Sequence, residues 1–455
     1  MSEALPLNDA QSCVLQHCVP LGTEKIDLLQ SLGRVLAQEV RANRDHPPCD
    51  ISAMDGYALR AADLGNVPAQ LVIVADIKAG DLPTLTVQAG QCVRIMTGAP
   101  IPQGADTVIR VEDTQEVDSG FPHPNPDGAT SHSTKPASGQ VAGYLPEGEG
   151  ANVSLREKIF DTVQINVSAQ SGNDIRRRAE NLRTGDVVLT AGTEITPGVL
   201  GILAMVKAAT VEVQRRPTVA ILSSGDELEG LHDPFDADKI PDANGYALMA
   251  QVQALGMQPV LLGIARDDPA ALRAKLEQGL QYDVLLVSGG TSVGVHDFVR
   301  PTLEQLGVRM HFWRVQMRPG HPAAFGTSAG SKVFCLPGNP VASMVSFEQI
   351  VAPALRNMLG HTRLYRRTVQ ARLAQPLKHR PGNLEFVRVV LSRDEHGYLA
   401  TPTGSQSSGV LLSMARADGL LVVPSESKGL VAGDVATVQL LDGTTFQEHN
   451  GIQES

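Results

Sequence analysis

The sequence predicts a multidomain α/β plus β protein: a central, mostly parallel α/β sheet domain, a β-rich second domain, a helical or extended linker domain and a small C-terminal β-barrel. Three observations carry this expectation. Between 187 and 362, apolar strand-like runs alternate with helix-like stretches, the pattern of a parallel sheet covered by helices on both faces. Short β-branched runs punctuated by Gly and Pro occupy 70–116 and return beyond 363. The chain has 455 residues, too many for one core at about 150 residues per domain.

Residues 8–40 set Val14, Leu15 and Cys18, then Leu28, Leu29, Leu32, Val35 and Leu36, at helical spacing around a short connection at 23–27, and predict two helices. The prolines of HPPCD at 46–50 break that pattern. Segments 1–46 and 153–186 are therefore read as the linker domain. Runs such as LVIVAD and DTVIRVED make 47–152 the β-rich domain. Within it, 117–152 concentrates Gly, Pro, Ser and His and reads as a mobile insertion. The α/β domain, 187–362, is expected to open on a helix at 197–208 and a short strand at 211–213. Strands at 218–222, 258–264, 283–287 and 333–336 then alternate with helices near 243–255, 268–280, 298–306 and 341–358. In 363–455, the alternation of ARLAQPLKH, EFVRVVLSR, GLLVVP and DVATVQLL gives a barrel.

The net charge of −11 and pI of about 5.6 argue against a nucleic-acid partner, which needs a basic face. Any anionic ligand must be held by local groups. Cys13, Cys18, Cys49, Cys92 and Cys335 are odd in number, scattered and without a CxxC pair, so their spacing suggests neither a disulfide framework nor a zinc site. The N-terminal MSEALPLNDAQSC lacks a basic segment followed by an apolar run, and no apolar stretch reaches membrane-spanning length. A soluble, cytoplasmic protein without a membrane partner is expected.

Ligands in open α/β sheets bind beyond the carboxyl ends of the strands. The first such end, SSGDELEG, places Ser223, Ser224, Gly225, Asp226 and Glu227 at a strand–helix junction. One of them can serve as an N-cap, but two adjacent carboxylates exceed what a cap needs. The second end carries Arg266, Asp267 and Asp268, where Asp268 followed by Pro269 is a ready helix start. The third, DVLLVSGGTSVGVHDFVRP at 283–301, runs from a buried strand into Ser288, Gly289, Gly290 and Ser292, then Asp297. It reads as a phosphate cradle or as a plain tight turn. The fourth leads into Pro337, Gly338 and Asn339 before a helix. Carboxylates beside a phosphate cradle would repel the ligand unless a divalent cation lies between them, which points to Mg²⁺. Arg314, Arg318 and His321 in FWRVQMRPGHPAAFG add cationic groups suited to an oxyanion.

With SAMDGYAL at 52–59, IMTGAPIPQGADTVI at 95–109, NDIRRRAEN at 173–181, SSGDEL at 223–228, RDD at 266–268, SGGTSVGVHDFV at 288–299, RPGHP at 318–322 and LPGNPVAS at 336–343, the chain resembles the MoeA/gephyrin E-domain/Cnx1 E-domain family, the molybdopterin molybdenumtransferases. The resemblance spans nearly the whole length. It implies an elongated four-domain homodimer whose α/β domain binds adenylylated molybdopterin. It further implies Mg²⁺-dependent insertion of molybdate with release of AMP, and an upstream adenylyltransferase as a partner. By motif position, Asp226, Glu227, Asp267, Ser292 and Asp297 fall among the pterin-phosphate and metal groups, the four acids being the metal set. Asp55 and Thr97 fall on a domain that faces the partner's active site. Arg318, His321, Pro322, Arg388 and Ser407 fall where such proteins gather molybdate.

Departures from the family pattern are Arg300 and Arg314 for lysines, RPGHP for KPGKP at Arg318 and His321, and Asn181 for an acid. Lysine and arginine are not interchangeable at oxyanion sites. The rival readings are a carrier or scaffold that binds molybdopterin without turnover, and a related pyrophosphate hydrolase.

Overall fold

The computed structural model describes residues 4–117, 162–290 and 298–441. The predicted insertion beyond Val117 lies outside them, as do Ser292 and Asp297. The chain forms two compact units, Val40–Val188 and the combination of Met1–Glu39 with Leu189–Ser455. Residues assigned above to one linker domain are shared between them.

The larger unit is built on a six-stranded sheet. Its strand order is Val260–Ala265, Val219–Ser224, Val284–Ser288, Lys332–Leu336, Ala324–Thr327 and Arg309–Phe312. The first four are parallel, and the last two add an antiparallel edge that the sequence pattern did not announce. Alternation along the parallel strands explains the helices on both faces. Val219, Ile221, Val284 and Leu286 join one apolar core with Leu248, Val252, Val345 and Leu355, whereas Ala220, Leu222, Leu285 and Val287 join a second with Leu272, Leu276 and Leu303. The intervening helices, Ala243–Ala254, Pro269–Gly279 and Val299–Gln305, lie where expected. The run 341–358 is helical in three parts, Pro340–Ser346, a π-helical turn Phe347–Val351 and Ala352–Met358.

The second of the two N-terminal helices is not formed. Helix Leu7–His17 packs Leu7, Ala10 and Val14 into the first core. After it, Thr23–Asp27 is a strand paired with Thr210–Gln214, followed by a single 3₁₀ turn, Leu28–Gln30. Leu29 and Leu32 are exposed, while Val35 and Leu36 are buried as extended bridges to Glu194 and Val213. Partners far along the chain override the local helical spacing.

The C-terminal strands Thr368–Leu373, Leu384–Asp394, Gly397–Pro402, Gly419–Val423 and Val435–Leu440 close into a five-stranded barrel, because Leu384–Asp394 pairs with both Gly397–Pro402 and Gly419–Val423. Its core is Ala371, Leu373, Val387, Val389, Ala400, Leu421, Val423 and Val438. The short strand Met317–Arg318 pairs in parallel with Leu384–Glu385, which ties the RPGHP turn to the barrel mouth.

The smaller unit holds a six-stranded sheet in the order Thr107–Arg110, Gly56–Leu59, Gln91–Ile95, Ala69–Ile77, Thr162–Ile165 and Thr114–Val117, antiparallel except for one parallel pair. Apolar clusters on both faces make it β-rich, as expected. Among the described residues, no helix is long and apolar enough to cross a membrane.

Candidate functional site

The carboxyl ends of the parallel strands converge, and backbone hydrogen bonds extend the ladder past them. Gly225 N–H donates to Ala265 O at 3.2 Å and Gly289 N–H to Leu336 O at 3.1 Å. Gly289 sits at φ +90°, and a Cβ there would strike the Ser224 carbonyl oxygen. Its glycine is thus required by close backbone approach, and its amide is already used. Of the donors read as a phosphate cradle, the Gly289 amide knits the strand ends together instead. Asn244, which nothing in the sequence singled out, bridges two of these loops, donating to Ser288 Oγ at 2.8 Å and Gly338 O at 2.7 Å. It lies in the first turn of a helix capped by Asp242. The motif PDANG carries the cap signal but no mark of this bridging role.

On the same edge, Asp226 and Glu227 are exposed at the loop after Ser224. Asp226 Oδ1 accepts the amide of Asp267 at 3.0 Å, so the two acids stand side by side. Lys239 Nζ and Arg266 both donate to the Asp226 backbone carbonyl, at 2.7 and 3.2 Å, which fixes the loop and offsets its negative charge. The Glu227 carboxylate folds back against Gly225. Asp268 is the helix cap, accepting from Ala271 N at 2.8 Å. Ser223 faces elsewhere: its Oγ is buried without a partner and lines a cavity of about 360 Å³ with Asp242, Tyr246 and Arg266.

A larger cavity of about 690 Å³ opens where the strand after Lys332 hands over to the barrel. Arg318, His321, Pro322, Pro337, Asn339 and Ser407 all line it, so residues distant in sequence are brought together. Gly320 makes the turn possible: it lies at φ +112°, and a Cβ would collide with Met317 and Ser346. His321 Nδ1 lies 2.9 Å from the Val315 carbonyl, to which it can only donate, so in the neutral ring Nε2 carries the lone pair. Arg318 is exposed, with Glu385 at 3.6 Å. Glu385 was not foreseen; it also contacts His379 Nδ1 at 2.6 Å and sets a negative charge in a polar wall whose arginine is Arg318 and whose hydroxyls are Ser407 and Ser408. Asn383, Gln406 and Ser408 complete the lining and were likewise missed, being ordinary loop residues in sequence.

Other candidate residues stand apart. Arg388 is buried, and its guanidinium donates to Ser413 Oγ, Phe386 O and Ser407 O at 3.3, 3.4 and 3.3 Å. Burial pushes its pKa below the usual arginine value. It braces the Ser407 segment and is absent from the cavity lining. Arg314 also does not line the cavity; its carbonyl accepts Leu5 N. Arg300 pairs with Glu304 at 2.9 Å and lies over the Trp313 ring at 5.2 Å. Asn181 donates its amide to His46 O at 3.0 Å. In the smaller unit, Asp55 Oδ1 accepts both Thr97 N and Thr97 Oγ1, at 2.7 and 2.8 Å, and these bonds, the backbone one foremost, hold its carboxyl below the usual range.

This arrangement of acids at strand ends and a polar cavity carrying Arg318 and His321 can be compared with known proteins. Family models match at 5–206 (MoeA N-terminal region, domain I and II), 220–357 (probable molybdopterin binding domain) and 370–441 (MoeA C-terminal region, domain IV). The chain belongs to the MoeA family. A molybdopterin molybdenumtransferase of Nostoc sp. is 34% identical over 429 residues, covering 92% of this chain and 89% of that protein. One of Bacillus subtilis is 31% identical over 454 residues, covering 99% and 96%. The crystal structure of a MoeA protein from Pyrococcus horikoshii OT3 superposes with a TM-score of 0.75 at 26% identity, covering 96% of this chain and all of that one.

Proposed function

We propose that this MoeA-family chain is a molybdopterin molybdenumtransferase acting in molybdenum cofactor biosynthesis, which takes adenylylated molybdopterin and molybdate and releases AMP. The observation that carries the reading is the wall at Pro337 and Asn339, which brings the Arg318–His321–Ser407 cavity onto the loop after Leu336, whose Gly338 carbonyl is bridged to Ser288 by Asn244. An oxyanion in that cavity would meet the Arg318 guanidinium, His321 and the Ser407 hydroxyl, while the adenylate phosphates lie toward the strand ends.

The acids fit a hard cation. Asp226 and Asp267 are adjacent and exposed, Glu227 is close in sequence, and oxygen donors with room for water are what Mg²⁺ demands. Asp226, Glu227 and Asp267, with Asp297, would hold it, and bound there it would neutralise phosphate charge. Lys239 and Arg266 fix the Asp226 loop, and Asn244 fixes the Ser288 and Gly338 loops, so the carboxylates are preset before substrate arrives. Because Nδ1 of His321 is committed to Val315 O, the ring can donate from Nε2 to molybdate only as the imidazolium. The Asp55–Thr97 pair and a homodimer that presents it to a partner's site belong to this proposal, as does a four-domain division of the chain.

Purified protein incubated with adenylylated molybdopterin, Mg²⁺ and molybdate is expected to release AMP in a molybdate-dependent manner. Tight binding without release would replace this reading with a carrier, and AMP release from other pyrophosphates regardless of the pterin would replace it with a hydrolase.

A further inference from the structure

Cys13, His17 and His311 come together away from the strand-end site. Cys13 and His17 are one turn apart on helix Leu7–His17 and so share a face. His311 comes from Arg309–Phe312, the antiparallel edge strand of the central sheet. The pairing of that strand with Ala324–Thr327 slips between Met310 and Phe312, so His311 is the extra residue of a β-bulge. Bulges turn a side chain away from the ladder's ordinary alternation. One ligand-type atom from each of the three residues lies within 4.8 Å of the others, and all three side chains are partly buried.

Both imidazoles are already oriented from behind. His17 Nδ1 is 2.8 Å from the Cys13 carbonyl, to which it can only donate, leaving Nε2 with its lone pair. His311 Nε2 is 2.8 Å from Thr327 Oγ1, leaving Nδ1 for a ligand. Metal-binding histidines characteristically hold their second nitrogen in this way, on a carbonyl or a polar side chain. The ring centroids of His17 and His311 are 4.1 Å apart, and His311 stacks on Phe325 at 5.4 Å, which restricts rotation. Burial foremost, then the neighbouring His17 and Arg309, lowers the His311 pKa and favours the neutral form that binds metal.

The geometry points to a transition-metal site of the Zn²⁺ class, with Cys13, His17 and His311 as three protein ligands and a fourth position for water. Zinc bonds of about 2.0–2.1 Å to nitrogen and about 2.3 Å to sulfur place tetrahedral ligand atoms roughly 3.3–3.7 Å apart. Closing a separation of up to 4.8 Å therefore takes small side-chain rotations. Burial raises the pKa of the Cys13 thiol, so metal capture would release its proton. The mixed imidazole and thiolate set excludes Mg²⁺, which takes oxygen ligands, so the site is distinct in chemistry from the acidic edge.

The test is titration of the full-length, chelator-treated protein with Co²⁺ in excess Mg²⁺, which keeps oxygen sites occupied. One Co²⁺ per chain with a thiolate-to-metal charge-transfer band, abolished by Zn²⁺, is expected. Cys13→Ser should remove the band, His311→Ala should weaken binding by about 100-fold or more, and Thr327→Val by about 10–100-fold. Cys49→Ser should leave it intact. Absence of the band in the wild type, or its persistence in Cys13→Ser, overturns the proposal. If the cysteine variant fails to fold, the other two variants decide the question, and unchanged affinity in both overturns the site. The readout is metal binding, so it stands or falls separately from molybdate transfer.

Discussion

The RPGHP turn and the barrel strand behind it each contribute an arginine to the same neighbourhood, in opposite states. Arg318 leaves 63% of its side chain exposed and has one long contact with Glu385. Arg388 is 1% exposed and spends its donors on Ser413, Phe386 and Ser407. One is open to a ligand; the other holds the Ser407 segment of the cavity wall. A cation placed by motif acquires its job from its surroundings, because desolvation and internal acceptors decide whether its hydrogen-bonding capacity is left over.

The contrast can be broken most forcibly at Arg388. Arg388→Met should destabilise the barrel by about 2–4 kcal/mol, since the loss of packing adds to the cost of orphaned carbonyls. Urea denaturation followed by barrel-sensitive hydrogen exchange would read this, and an unchanged midpoint would reject the bracing role. Arg318→Ala should do the reverse, shifting stability by no more than about 0.5 kcal/mol. Its molybdate affinity should fall about 10–100-fold, the worth of a charged hydrogen bond, in calorimetric titration.

A smaller effect is expected at His321. His321→Gln should weaken molybdate binding by about 5–10-fold, the worth of one hydrogen bond, in the same calorimetric titration. An unchanged affinity in that variant would remove His321 from the oxyanion site. The smallest effect belongs to Glu385, whose carboxylate competes with a ligand for Arg318. Glu385→Gln should raise molybdate affinity by up to about 5-fold, in keeping with the modest worth of a long ion pair whose arginine is open to solvent.

Much of the larger unit was readable because its signals are local. An unbroken apolar run such as Val284–Ser288 can only be buried on both faces, and the glycine, proline and cap residues at 225, 268, 289 and 337–340 mark where each strand stops. The RPGHP and SSGDEL segments were singled out on equally local signals. The second N-terminal helix was misread because Leu28 to Leu36 carries helical spacing while its partners lie at 193–195 and 210–214. The antiparallel edge Arg309–Phe312 and Ala324–Thr327 went unnoticed because short strands without alternation resemble loops.

Fold class, the positions of the four parallel strand ends, and membership of a recognisable family were all legible in the amino-acid order. Those properties follow from periodicity, turn chemistry and motif order, all of which act over a few residues. The folded path decided which arginine is exposed, that Gly289 gives its amide to a neighbouring strand, that Glu385 lines the cavity and that Asn244 bridges two strand-end loops. It also placed His311, through a bulge in a distant edge strand, beside Cys13 and His17, a proximity that no local spacing announces. Burial and ligand geometry are properties of pairs far apart in sequence, and such pairs exist only once the chain has folded.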